Sequence, residues 1–103
     1  MYALHVTFTT SVSAEDLRDG QVSFAQHLAA VPGFVSKTWL RDGVHQGGFY
    51  LFETREAAEG YLDGPLFGLL RANTAVHDLT VRGYSVNTEL GARTGALRAL
   101  AGS

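Results

Sequence analysis

Two strand-forming runs, Phe34 to Arg41 and Gln46 to Thr54, meet across Asp42-Gly43. Both are rich in aromatic and β-branched residues, and Asp-Gly supplies turn chemistry, so the middle of the chain is predicted to be a β-hairpin. A helix-forming and a strand-forming segment stand on each side of it. Upstream, Tyr2, Leu4, Val6 and Phe8 alternate with Ala3, His5 and Thr7, the period of a strand with two unlike faces. Ser13 then opens a helix: its hydroxyl can cap free amides, and Glu15 and Asp16 sit in the positive first turn. Leu17, Phe24, Leu28 and Val31 fall on one face, and Pro32-Gly33 stops the helix near Val31. Downstream, Thr54 is placed to cap a second helix carrying Ala57, Ala58, Tyr61 and Leu62. Gly64-Pro65 interrupts that helix, a helical pattern resumes from Leu66 to Asn73, and Val76 to Val86 alternates loosely as a fourth strand.

The resulting order, β-α-β-β-α-β, is the split βαβ arrangement. It predicts an α+β, ferredoxin-like domain: a four-stranded antiparallel sheet with both helices on one face. The 103 residues suit one domain, with a core over 1–86 and a C-terminal arm or short helix over 87–103. In that tail Leu90, Leu97 and Leu100 favour a packed helix or arm, and Gly91, Gly95 and Gly102 weaken it. The helix-free face of the sheet needs a cover. Charged residues make up only 17% of the chain against 46% apolar, below the roughly 25% charged of ordinary soluble domains. A homodimer whose two sheets face each other about a twofold axis is the expected solution.

Several function classes are disfavoured. Eight Lys+Arg against ten Asp+Glu give a net charge of -2, and the basic residues are scattered from Arg18 to Arg98, so no nucleic-acid partner is expected. The chain has no cysteine, which removes disulfides, thiolate metal sites and cysteine nucleophiles. No segment approaches the roughly 18 consecutive apolar residues of a membrane helix. Met1 to Thr10 does not read as a basic start followed by an apolar run, so no membrane partner and a cytoplasmic location are the expectations. The histidines, at 5, 27, 45 and 77, include no i,i+4 helical pair and no i,i+2 strand pair, so no metal site is signalled. There is no GxGxxG after a strand, no GxxxxGK[ST] and no GxSxG, so neither a nucleotide cofactor nor a serine nucleophile is expected.

What remains is a set of aromatic and titratable side chains on the predicted strands: His5, Lys37, Trp39, Tyr50, His77, Arg82 and Tyr84. Val35, Lys37, Trp39 and Arg41 share one face of their strand, and Gly48, Tyr50 and Phe52 share one face of the next. Polar tips mixed into apolar rows can line a small-molecule pocket, where Trp39 or Tyr50 would stack on a flat ligand. Each has a plainer reading. Trp39 is core, Tyr50 and Tyr84 hydrogen-bond within the protein, and His5 lies at an interface. His27, beside Gly20 on one flank of the first helix, and His45 in the hairpin turn are exposed surface residues. Lys37, Arg41 and Arg82 are solvated or paired across the dimer.

The runs Pro32-Gly33-Phe34, Lys37-Thr38-Trp39 and Gly47-Gly48-Phe49-Tyr50-Leu51-Phe52 resemble the YdhR-type monooxygenase family. Leu4-His5-Val6, Tyr61-Leu62 and Tyr84-Ser85-Val86-Asn87 fit the same pattern in the same order, over nearly the whole chain. The resemblance implies a dimeric α+β barrel, the architecture of small antibiotic-biosynthesis monooxygenases, some of which oxidise polycyclic phenols with molecular oxygen and no metal or flavin. Carried onto this chain, it implies His5 and Tyr50 as catalytic residues, with His5 taking a proton from an acidic phenol or methylene. Trp39, Tyr84 and Asn87 would then bind the substrate, and His27, with room for a ligand beside Gly20, is a further binding candidate from its place on the first helix. The expected function is a cofactor-free monooxygenase acting on an aromatic or polyketide-like molecule. A non-redox isomerase, cyclase or dehydratase of the same fold, and a non-catalytic binding protein, are the alternatives. Haem use is a minor further one, for which His27 is the obvious helical ligand. The segment Asp63 to Asn73 departs from the family pattern, with Gly64-Pro65-Leu66-Phe67 reshaping a pocket wall.

Overall fold

The computed structural model describes residues 1–95. Its elements are β1 (Tyr2–Thr9), α1 (Ala14–Leu28), β2 (Phe34–Asp42), β3 (His45–Phe52), α2 (Arg55–Asp63), α3 (Pro65–Ala72), β4 (His77–Ser85) and α4 (Thr88–Arg93). The four strands form one antiparallel sheet in the order β2-β3-β1-β4, which is the ferredoxin-like arrangement. Within the tail, Thr88–Arg93 is a short helix, while Leu97 and Leu100 lie outside the described residues. None of the described helices is long and apolar enough to cross a membrane.

The helices begin where the local chemistry puts them. Ser13 Oγ accepts from the Asp16 amide at 3.1 Å, and Thr54 Oγ1 accepts from the Ala57 amide at 3.1 Å. Each satisfies one amide that the first helical turn leaves unpaired. Pro65 sits in the first turn of α3, where its missing amide costs nothing. The first helix ends as α-helix at Leu28, three residues short of the sequence expectation. Val31 remains attached through a tighter turn, its amide donating to the Leu28 carbonyl at 3.0 Å. Gly33 then takes φ +76°, a conformation glycine adopts without steric penalty, and the chain turns into β2.

Strand alternation sorts the sheet into two faces. Leu4 and Val6 of β1 and Tyr50 and Phe52 of β3 are buried with Leu28 of α1, Ala58 and Tyr61 of α2 and Phe67 of α3. This cluster is the core. Full burial of one such side chain stabilises by about 1.5–3 kcal/mol, so the cluster ties all three longer helices to one face of the sheet. The opposite face carries Ala3, His5 and Thr7 of β1, Phe49 and Leu51 of β3, Thr38 and Leu40 of β2, and Thr80, Arg82 and Tyr84 of β4, as the register dictates. Phe49, Leu40 and Tyr84 are exposed there.

Candidate active site

A cavity of about 190 Å³ lies between α1, α3 and the helix-covered face of the sheet. Phe24 from α1, Lys37 and Trp39 from β2, Gln46 and Tyr50 from β3 and Leu70 from α3 contribute to its wall. The register explains why β2 and β3 supply most of the chemistry. Lys37 is opposite Tyr50 and Trp39 is opposite Gly48, so all four positions share the face that the helices cover.

Gly48 makes the arrangement possible. A Cβ there would stand 2.6 Å from Lys37 Cε and 2.8 Å from the Thr38 carbonyl oxygen. The bare backbone leaves a trough along which the lysine stem crosses the strand. Lys37 Nζ consequently ends among aromatic rings, 3.4 Å from the centroid of Trp39, 4.5 Å from that of Tyr50 and 5.2 Å from that of Phe24. The rings' negative faces attract the ammonium, but no ion pair involving Lys37 forms among the described residues. Burial dominates: loss of water pulls the amine down from 10.5 to about 7. Near neutral pH Lys37 is therefore divided between a proton-accepting amine and a cation.

Tyr50 is buried beside it and accepts a hydrogen bond from the Tyr61 hydroxyl at 3.1 Å. Burial pushes the Tyr50 phenol up to about 12, opposed by that hydrogen bond, and pushes Tyr61 up as well. Tyr50 thus stays protonated and acts as a donor, not a base. Gln46, 5% exposed, receives the Gln21 amide at 3.4 Å on its Oε1, while its own Nε2 is buried without a partner.

The six residues proposed from sequence separate into four places. Trp39 and Tyr50 line the cavity together. His5 is on the opposite face of the sheet, stacked on Phe49 at 4.3 Å between ring centroids, and Tyr84 is exposed on that same face. His27 is exposed on α1, where its Nδ1 meets the Ser23 carbonyl oxygen at 2.8 Å, and it lines a separate groove with Leu69 and Glu56. Asn87 is the N-cap of α4, its side-chain oxygen accepting from the Leu90 amide at 3.0 Å. Trp39, read first as core, is instead 42% exposed at the cavity's edge. Lys37, read as solvated or paired across the dimer, is the residue that sequence reasoning undervalued. Its place in one row with Trp39, across the hairpin from Gly48 and Tyr50, was the available signal.

The His27 groove brings Glu56 rather than a basic side chain, a poor partner for the carboxylates of a porphyrin. Among the described residues, no three His, Asp or Glu side chains converge in a metal-binding group.

The sheet order and its single helix-covered face define a small ferredoxin-like α+β domain with an apolar cavity between sheet and helices. The chain belongs to the ydhR family: the model of that family, described as "Putative mono-oxygenase ydhR", matches residues 2–97. No curated protein matches the sequence. Among solved structures, SnoaB, a cofactor-independent oxygenase from Streptomyces nogalater, is similar with 18% identity and a TM-score of 0.69 over 84% of this chain and 92% of SnoaB. A "putative antibiotic biosynthesis monooxygenase" from Deinococcus radiodurans is 23% identical with a TM-score of 0.66, covering 84% and 93% of the two chains. MhuD, in a structure with manganese protoporphyrin IX bound, is 17% identical with a TM-score of 0.64, covering 84% and 95%. These likenesses establish a shared fold.

Proposed function

We propose that this protein is a cofactor-independent monooxygenase that uses molecular oxygen on an aromatic, polyketide-like small molecule bound in the α1–α3 cavity. The observation that supports it most is the Lys37 amine, half-buried among Phe24, Trp39 and Tyr50 and poised near neutrality. A base with its pKa near the working pH suits proton abstraction. The neutral amine takes the proton of a phenol, and Tyr50 donates a hydrogen bond to a substrate oxygen. The electron-rich phenolate then reduces oxygen directly. The balance closes without an outside reductant: a phenol and one O₂ give a quinone and one water, the ring supplying all the electrons. The likeness to SnoaB, a cofactor-independent oxygenase, agrees with this reading. In this scheme the proton acceptor is Lys37, because His5 faces the other side of the sheet.

The open face of the sheet fits a second copy of the chain. Exposed Phe49, Leu40 and Tyr84 and the low charge content support a homodimer closed sheet to sheet.

Oxygen uptake by chelator-treated protein offered phenols and anthrones tests the activity, with K37M and Y50F as controls. Uptake with a quinone product, lost in K37M, supports the reading. Binding without uptake replaces it by an isomerase, cyclase or dehydratase, or by a binding protein without catalysis.

A further inference from the structure

The cavity wall has hydrogen-bond donors to spare. Gln46 Nε2 is buried and unpartnered, while the Oε1 of the same amide is taken by Gln21. Lys37 Nζ brings up to three N–H groups into the cavity and forms no ion pair among the described residues. Tyr50 accepts from Tyr61, which leaves the Tyr50 hydrogen available. The side-chain oxygens nearby each already accept one bond, Thr10 Oγ1 from the Val12 amide at 3.2 Å and Asn73 Oδ1 from the Ala75 amide at 2.9 Å, and neither reaches Gln46 Nε2. A buried donor left unpaired, as Gln46 Nε2 is, is costly. A ligand that satisfies it while also meeting Lys37 and Tyr50 must carry an acceptor atom, and one carrying negative charge also compensates the lysine cation.

Size gives a second, independent constraint. An apolar cavity of about 150 Å³ holds benzene, and this one measures about 190 Å³. That volume matches one substituted ring, whereas a three-ring system would have to project past Trp39 at the open edge. Phe24, Trp39 and Tyr50 form an aromatic surround suited to such a ring.

We propose that the cavity selects a single-ring aromatic compound bearing an anionic oxygen, which Lys37 and the Gln46 amide hold while the ring lies among Phe24, Trp39 and Tyr50. This rests on the reading that the α1–α3 cavity is the substrate site, and it narrows that site from polycyclic compounds to monocyclic phenolates or carboxylates.

Trp39 is the chain's only tryptophan, so intrinsic fluorescence reports occupancy of the cavity directly. The test is an oxygen-free titration of the full chain with benzoate, 4-nitrophenolate, neutral benzamide and anthracene-9-carboxylate, read by fluorescence and calorimetry. The expected result is that at least one single-ring anion binds about 10- to 100-fold more tightly than benzamide, the worth of a charged hydrogen bond, and that anthracene-9-carboxylate binds more weakly still. Which of the two anions binds better tells a carboxylate site from a phenolate site. K37M should abolish the preference for anions, and Q46L should weaken it. Equal binding of benzamide and both anions, or tighter binding of the three-ring acid, overturns the proposal on the wild-type protein alone, whatever the variants' folding. Anion binding without oxygen uptake would remove the oxygenase reading and leave this one standing. Uptake with a bound neutral or polycyclic aromatic would do the reverse.

Discussion

Tyr61 donates its hydroxyl hydrogen to Tyr50 across 3.1 Å inside the core, so a residue of α2 is joined directly to the phenol that lines the cavity. Y61F leaves the Tyr50 hydroxyl without its donor in a buried setting. We expect a loss of about 1 kcal/mol, seen as a fall of about 4–8 °C in the melting temperature of a domain this size. An unchanged melting curve would show that the two hydroxyls are not coupled.

The buried lysine gives stability a distinctive pH profile. Lys37 in the folded chain sits near 7, below its ordinary 10.5, so between those values the unfolded chain binds more protons. Stability therefore rises with pH above about 7. Tyr50 and Tyr61 are shifted upward by burial, and once unfolded tyrosines ionise, near their ordinary 10, stability falls again. Urea titrations at several pH values should show the rise in the wild type and its absence in K37M.

G48A tests the trough under the lysine. The added methyl meets Lys37 Cε and the Thr38 carbonyl, and overpacking of this kind costs about 1–3 kcal/mol. Because the lysine stem must move along with the Thr38 backbone, ligand affinity should fall together with stability. Full retention of both would mean that Lys37 does not need that path.

His5 and Phe49 stack on the face away from the cavity, so their substitution should act on assembly. F49E is expected to turn a dimer into a monomer in size-exclusion chromatography with light scattering, because it places a charge on the apolar sheet face. H5A should leave cavity binding by Trp39 fluorescence unchanged. A monomeric wild type would remove the dimer, and lost binding in H5A would restore His5 to the site.

The order of elements was readable because local signals agree with one another. Ser13 and Thr54 cap the helices they precede, and Asp42-Gly43 joins the strands it divides. Faces within a strand were readable too, since alternation placed Lys37 with Trp39 and Tyr50 with Phe52. Pairing between distant strands was not. Leu4 is opposite Tyr50 and His5 opposite Phe49, so His5 and Tyr50 point to opposite sides of one sheet, a fact that depends on register. Asn87 could have been read as a cap from its place just before Thr88-Glu89. The burial of Lys37 required the three-dimensional course of its stem over Gly48.

The break at Gly64-Pro65 divides the labour between two short helices. The first sets Ala58 and Tyr61 into the core; the second sets Phe67 there and turns Leu70 toward the cavity. Such a chain has a fixed floor and one exchangeable tile in its ceiling. With Phe67 kept as the anchor, substitution at Leu70 can retune which molecule fits while the sheet beneath stays as it is.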